Sequence, residues 1–134
     1  MTPAWYLGRV KLRIRGDSLR LRLTRGEVDQ LRETGEVSET VHFGARDLAY
    51  ALVRGPVDAP TARFDADRIE IVLPAATADA WASSEQVGIE AEQALASGSL
   101  RLLIEKDFQC LAPRDGEDDS DAFPNPSAET GASC

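Results

Sequence analysis

The sequence predicts an α+β fold in which a duplicated β-β-α-β-β unit forms a strongly curved antiparallel sheet or an open barrel, with two helices on its apolar face. Apolar and charged residues alternate along several short segments, as they do in half-buried strands. Helix start signals interrupt these segments twice, and the two halves of the chain follow the same order of elements. Two similar units without a common origin are the alternative to a duplication.

The first unit, residues 10–53, opens with a predicted hairpin. Its apolar positions alternate with basic ones and comprise Val10, Leu12, Ile14, Leu19, Leu21 and Leu23. Thr24 and Glu27 then have the spacing of a helix capping box, and Gly35 is a typical helix end. Two strands, over 37–43 and 48–53, complete the unit.

The second unit, residues 60–105, follows a connector that is too rich in proline and glycine to form a strand. Pro74 suits the start of a helix, because the N–H that proline lacks would be unpaired there. The predicted elements are strands over 62–64 and 69–73, a helix over 75–83, and strands over 87–92 and 100–105.

The two units align without a gap from residue 12 on residue 62 through Val37 on Val87. A shift by two further positions then places Leu48 on Leu100. One face stays apolar along this alignment, so its residues are predicted to form one core. They are Leu12, Ile14, Leu19, Leu21, Leu31, Phe64, Ile69, Ile71, Trp81, Leu102 and Ile104.

The length of 134 residues fits one domain, which we expect over residues 10–111. Residues 1–9 form an N-terminal extension in this interpretation. Residues 112–134 are predicted to be a disordered acidic tail, because residues 115–121 alone carry five carboxylates that repel each other. Docking of that tail on the basic first hairpin is the alternative.

The cysteine content and the hydropathy pattern favour the cytoplasm. Cys110 and Cys134 are the only cysteines, which is too few for a disulfide framework. No stretch approaches the roughly 18 consecutive apolar residues that cross a bilayer, so no membrane partner is expected.

The charge of the chain is unevenly distributed. The net charge is −8, yet residues 1–25 carry seven basic residues and one acidic residue. A globally acidic protein repels nucleic-acid phosphate, so no nucleic-acid partner is expected. A small anionic ligand on the basic hairpin is compatible with this pattern. The candidate anion-binding residues are Lys11, Arg13, Arg15, Arg20 and Arg22.

No catalytic residue is predicted. His42 is the only histidine, and neither a Ser-His-Asp set nor a glycine-rich phosphate loop of known spacing occurs. The two cysteines and His42 fall short of the three or four protein ligands of a zinc site.

Three segments carry a resemblance to a known family: the run Lys11–Thr24, the sequence Lys106-Asp-Phe-Gln-Cys110, and the tail from Glu117 to Pro126. Together they resemble a bacterial family of small uncharacterised proteins, a domain of unknown function. The likeness extends from Val10 to the C-terminus and implies no catalytic residues. Members of that family tend to begin with methionine where this chain has Val10, which implies that residues 1–9 come from an upstream start site.

The predicted architecture is also similar to that of the triphosphate tunnel metalloenzymes, which hold acids and bases inside a duplicated barrel. That resemblance implies a divergent metal-dependent phosphohydrolase, with a divalent metal on Glu90 and Glu92 and phosphate on the arginines. The function that the sequence favours is non-enzymatic, a small cytosolic binding or scaffold domain. The tunnel enzyme is the alternative, and no other cofactor is indicated.

Overall fold

The computed structural model describes residues 10–107, which form eight strands and two helices. The first half contributes β1 (Lys11–Ile14), β2 (Ser18–Leu23), α1 (Arg25–Thr34), β3 (Glu36–His42) and β4 (Asp47–Gly55). The second half contributes β5 (Thr61–Asp65), β6 (Arg68–Pro74), α2 (Ala75–Ala82), β7 (Gly88–Ala94) and β8 (Ser99–Lys106). The element order β-β-α-β-β therefore occurs twice, as predicted. The predicted N-terminal extension and acidic tail lie outside the described residues.

The ends of α1 form as their sequence signals indicate. Thr24 Oγ1 accepts a hydrogen bond from the Glu27 backbone N–H, and Glu27 Oε1 accepts one from the Thr24 N–H at 2.9 Å. Gly35 ends the helix in the left-handed conformation, with φ of 85°, which costs glycine no Cβ clash. Burial raises the pKa of the Glu27 carboxyl above its usual range. Helix α2 begins after Pro74 and has no side-chain cap.

The strands form two four-stranded sheets, and neither sheet closes into a barrel. Sheet A has the order β1-β2-β8-β7, and sheet B has the order β3-β4-β6-β5. Each sheet joins a hairpin of one half to a hairpin of the other half through a parallel pair, β2 with β8 and β4 with β6. The expectation of one antiparallel sheet or open barrel is thereby corrected. Residue alternation reveals hairpins, but it does not reveal which hairpins become neighbours.

The two halves are symmetric in register as well as in element order. Leu21 pairs with Ile104 in sheet A, and Ile71 pairs with Leu52 in sheet B. Leu21 is thus the equivalent of Ile71, and Leu52 is the equivalent of Ile104. The antiparallel pairs agree with this assignment, since Val37 pairs with Leu52 while Ile89 pairs with Ile104.

The equivalent of Val37 is therefore Ile89, and the predicted alignment of Val37 with Val87 is wrong. Val37 and Ile89 are 2% and 6% exposed, whereas Val87 is 52% exposed. The second half has the longer connection from helix to strand, which spans 83–87 between α2 and β7, whereas Gly35 alone connects α1 to β3. An alignment by residue type cannot locate an insertion in an exposed connection of this kind.

The inner faces of both sheets and one side of each helix share a single core. It comprises Val10, Leu21, Leu23, Val28, Leu31, Val37, Leu52, Ile71, Leu73, Ala78, Trp81, Ile89, Leu102 and Ile104. Leu31 of α1 and Trp81 of α2 are fully buried in it, which confirms that the helices cover the apolar side of the sheets. Trp81 also satisfies its indole N–H by donating to the Val87 carbonyl at 3.1 Å.

Most of the predicted core residues are buried or packed against the core, but two are not. Leu12 and Leu19 are partly buried against the core, and Ile69 is also partly buried. Ile14 is 57% exposed and Phe64 is 71% exposed, at equivalent positions next to a hairpin turn. Alternation predicts the side of the sheet to which a residue points, not whether another element covers that place.

Neither described helix is long and apolar enough to span a membrane.

Candidate anion-binding face

The outer side of sheet A brings the predicted anion-binding residues together. Because the leucines of β2 point into the core, the alternating basic residues point away from it. Lys11 is the cross-strand partner of Arg22, and Arg13 is the partner of Arg20. We call this surface the basic face. It consists of Lys11, Arg13, Arg15, Arg20, Arg22, Arg101, Glu90, Glu92 and Glu105.

Arg101 also belongs to the basic face, although it was not among the predicted anion-binding residues. It enters the site because β8 lies parallel to β2, which places Arg101 beside Ser18. Arg101 alternates with Leu100 and Leu102 in the sequence, and this pattern indicates that its side chain points away from the core. Its place beside β2 has no local signal, because the two strands lie at opposite ends of the described chain.

Part of the positive charge on the basic face is compensated by nearby carboxylates. Glu105 accepts hydrogen bonds from Arg20 at 2.6 Å and from Arg22 Nε at 3.0 Å. Lys11 Nζ donates to Asp107 Oδ2 at 3.0 Å. Arg22 Nη2 is buried and finds no hydrogen-bond partner within residues 10–107. A charged donor in this position is costly unless an acceptor reaches it.

Arg20 and the arginines of this face that have no such compensation surround an open cavity of about 460 Å³. Its charged lining residues are Arg13, Arg15, Arg20, Arg101, Glu90 and Glu92. Four arginines and two glutamates give a formal charge of +2. In the part of the chain that the structure describes, Arg13, Arg15 and Arg101 form no ion pair. Planar guanidinium groups bind phosphate and carboxylate oxygens in a bidentate manner.

The corresponding side of sheet B is neutralised by its own side chains. Its cavity of about 250 Å³ is lined by Arg63, Asp65, Arg68 and Glu70, whose formal charges cancel. Glu70 accepts from Arg63 at 2.6 Å and from Arg68 at 3.1 Å, and Arg68 also reaches Glu36 at 3.2 Å. The hydrogen bond from Arg63 holds the pKa of the Glu70 carboxyl below its usual range.

The residues of the alternative metal site are close in sequence but few in number. Glu90 and Glu92 lie two positions apart on β7 and share the outer side of sheet A. Within residues 10–107, no group of three or more histidine, cysteine, aspartate or glutamate side chains is placed to hold a metal ion. His42 Nδ1 lies 3.1 Å from Asp47 Oδ1 in an exposed pair that belongs to sheet B and not to sheet A.

The interior also differs from that of the tunnel enzymes. Those enzymes hold acids and bases inside the barrel, with a Glu-x-Glu-x-Lys pattern on the first strand. Here the first strand carries Lys11 and Arg13 on its outer side, followed by Arg15, and the inner faces of both sheets form the apolar core. The charged residues therefore face solvent on an open sheet.

Comparison with known proteins identifies a family without a known activity. No curated protein and no solved structure matches the chain significantly. One family model does match, over residues 10–127, and it begins where the resemblance noted from the sequence begins. Because the match covers most of the chain, the protein belongs to the family of unknown function DUF7009.

Proposed function

We propose that this protein is a non-enzymatic binding domain that holds a small anionic ligand on the basic face of sheet A. The observation that carries the proposal is the cavity lined by Arg13, Arg15, Arg20 and Arg101. Three of these arginines have no ion-pair partner within residues 10–107, so their charge is available to a ligand. The four-stranded sheet supplies fixed Cα positions for the lining residues that lie on its strands.

The open geometry favours a binding role over the divergent phosphohydrolase. A phosphohydrolase of the tunnel type needs carboxylates that converge on a metal beside the phosphate-binding bases. Glu90 and Glu92 share one strand, and Glu105 on the neighbouring strand β8 is engaged by Arg20 and Arg22. A solvent-open cavity also does little to exclude water from a reacting group.

Two further inferences accompany this proposal. The low cysteine content supports a cytoplasmic location for the domain. The matching registers of the two halves, with Leu21 opposite Ile104 and Ile71 opposite Leu52, support an origin by duplication. Under that origin, the basic face arose by divergence of one copy of an outer surface.

Calorimetric titration with pyrophosphate at low salt tests the binding site. The wild-type protein should bind, and Arg13→Gln/Arg101→Gln should weaken binding by about tenfold or more, since each lost charge-assisted hydrogen bond is worth roughly 1.5–3 kcal/mol. Binding should also weaken as salt rises, because the groups are solvent-accessible.

The matched control is Arg63→Gln/Arg68→Gln, which also removes two arginines and includes Arg63, the residue that occupies on sheet B the position of Arg13 on sheet A. This variant should bind pyrophosphate as the wild type does. Equal loss of affinity in both variants would show that general charge, not the cavity, attracts the anion. No binding by the wild type would refute the proposed function.

A further inference from the structure

Charge is distributed unequally across the basic face. One cross-strand row runs from Arg13 on β1 through Arg20 on β2 and Leu103 on β8 to Glu90 on β7. The next row runs from Ser18 through Arg101 to Glu92. The first row is therefore basic on β1 and β2 and acidic on β7, whereas the second row places Arg101 directly beside Glu92.

The two charged sides are separated by a fixed distance. Neighbouring strands of a sheet lie about 4.8 Å apart, so two strand spacings place the backbone of Glu90 about 10 Å from that of Arg20. Leu103 lies between them and is only partly buried. Along this row the floor of the cavity is thus apolar in the middle and charged at both ends.

The two glutamates lack the partners that the acidic residues of sheet B have. Glu90 and Glu92 are exposed and form no ion pair within residues 10–107, whereas Glu36 and Glu70 on sheet B are paired with arginines. By the symmetry of the two halves, Ser38 and Thr40 occupy the positions of Glu90 and Glu92 on sheet B. The carboxylates are therefore particular to the sheet that carries the unpaired arginines.

Two free carboxylates beside an anion site weaken the binding of a simple anion, because like charges repel. The same carboxylates strengthen the binding of a ligand that places a cation against them. We propose that the ligand is bipolar: a phosphate ester held by Arg13 on β1 and Arg20 on β2, with an ammonium or guanidinium group at Glu90 and Glu92 on β7, two strand spacings from β2. This inference rests on the proposed anion-binding function and specifies its ligand class.

A pair of synthetic probes separates the two claims. Hexyl phosphate carries only the anion, and 6-aminohexyl phosphate adds an ammonium group at a matching distance. The wild-type protein should bind 6-aminohexyl phosphate about fivefold more tightly, as expected for a surface ion pair near the upper end of its usual strength. Glu90→Gln/Glu92→Gln should abolish that preference and raise the affinity for hexyl phosphate, because two like charges beside the anion are removed.

The control variant is Glu36→Gln/Asp65→Asn, which removes the same number of carboxylates from sheet B. It should keep the preference for the amine-bearing probe. Equal binding of the two probes by the wild type would overturn the bipolar ligand and leave anion binding intact. A preference that survives Glu90→Gln/Glu92→Gln would overturn the assignment to these residues. Failure of both probes to bind would overturn the anion-binding function itself.

Discussion

Sheets A and B are built from equivalent hairpins, yet their outer sides carry different chemistry. On sheet B, Arg63 and Arg68 are paired with Glu70 at the surface. On sheet A, the equivalent of Arg63 is Arg13, which has no ion pair within residues 10–107 and lines a cavity with a formal charge of +2. The same backbone therefore supports one neutral surface and one basic surface.

The inner sides of the sheets differ far less. Leu21 and Ile71 are each 1% exposed, and Leu31 and Trp81 are both fully buried at equivalent positions of α1 and α2. Packing constrains the inner residues to remain apolar and to keep roughly the same total volume. Outer residues are free of that constraint, so a function that is particular to one sheet is expected to be found there.

Alanine substitution in the two interiors should have the largest effect. Leu21→Ala and Ile71→Ala should each lower the free energy of unfolding by roughly 2–5 kcal/mol, because each leaves a cavity in the shared core. Urea denaturation of both variants measures the two losses. A loss below about 1 kcal/mol in one of them would contradict the equivalence of the interiors.

A smaller effect is expected from the ion pairs that neutralise sheet B. Glu70→Gln removes the partner of Arg63 and Arg68, and water screening at the surface limits the loss to about 0.5–1 kcal/mol at pH 7. The folded protein lowers the pKa of Glu70, so the unfolded chain binds its proton more readily. The stabilisation is therefore present above about pH 4.5 and is lost as the pH falls through the lowered folded pKa.

Denaturation at several pH values measures the difference in unfolding free energy between the wild type and Glu70→Gln. That difference should shrink on acidification. Glu92→Gln provides the comparison on sheet A, where it should change the unfolding free energy little, since Glu92 has no ion pair within residues 10–107. If the difference in unfolding free energy between the wild type and Glu70→Gln grows at acidic pH, then Glu70 does not stabilise sheet B as the ionised partner of Arg63 and Arg68.

The smallest effect concerns competition for the basic face. Residues 115–121 carry five carboxylates on the same chain as the basic face, at high effective concentration. Deleting residues 113–134 should leave the melting temperature nearly unchanged and should strengthen pyrophosphate binding about twofold at low salt. Arg13→Gln/Arg101→Gln should remove that gain. If the gain in pyrophosphate affinity persists when the deletion is combined with Arg13→Gln/Arg101→Gln, then it comes from the loss of general repulsion between the acidic segment and the anion.

The local elements were predictable because their signals lie within a few residues. Thr24 with Glu27 and then Gly35 predict the ends of α1, and the alternating leucines predict the first hairpin. The same alternation predicts which side chains of the first hairpin point away from the core. They are Lys11, Arg13, Arg20 and Arg22. These signals depend only on backbone geometry and on which side of a strand faces water.

The pairing of the hairpins was not predictable in the same way. No local pattern indicates that β2 lies beside β8, and that contact is what brings Arg101 and Glu105 to the basic face. The exposure of Ile14 and Phe64 likewise depends on how far the covering elements extend over each sheet. The candidate site was therefore predictable on β1 and β2, whereas its completion by β8 depends on tertiary structure.

The exchange of hairpins between the halves has a consequence for the nascent chain. Sheet A cannot form until Ser99–Lys106 has been synthesised, because β8 lies between β2 and β7. Until its partners emerge, an N-terminal half that has left the ribosome presents the unpaired edges of β2 and β4, together with leucines that have no covering partner. Unpaired edges of this kind favour association with other chains. As the second half is synthesised, β6 pairs with the edge of β4 first, and β8 pairs with the edge of β2 last.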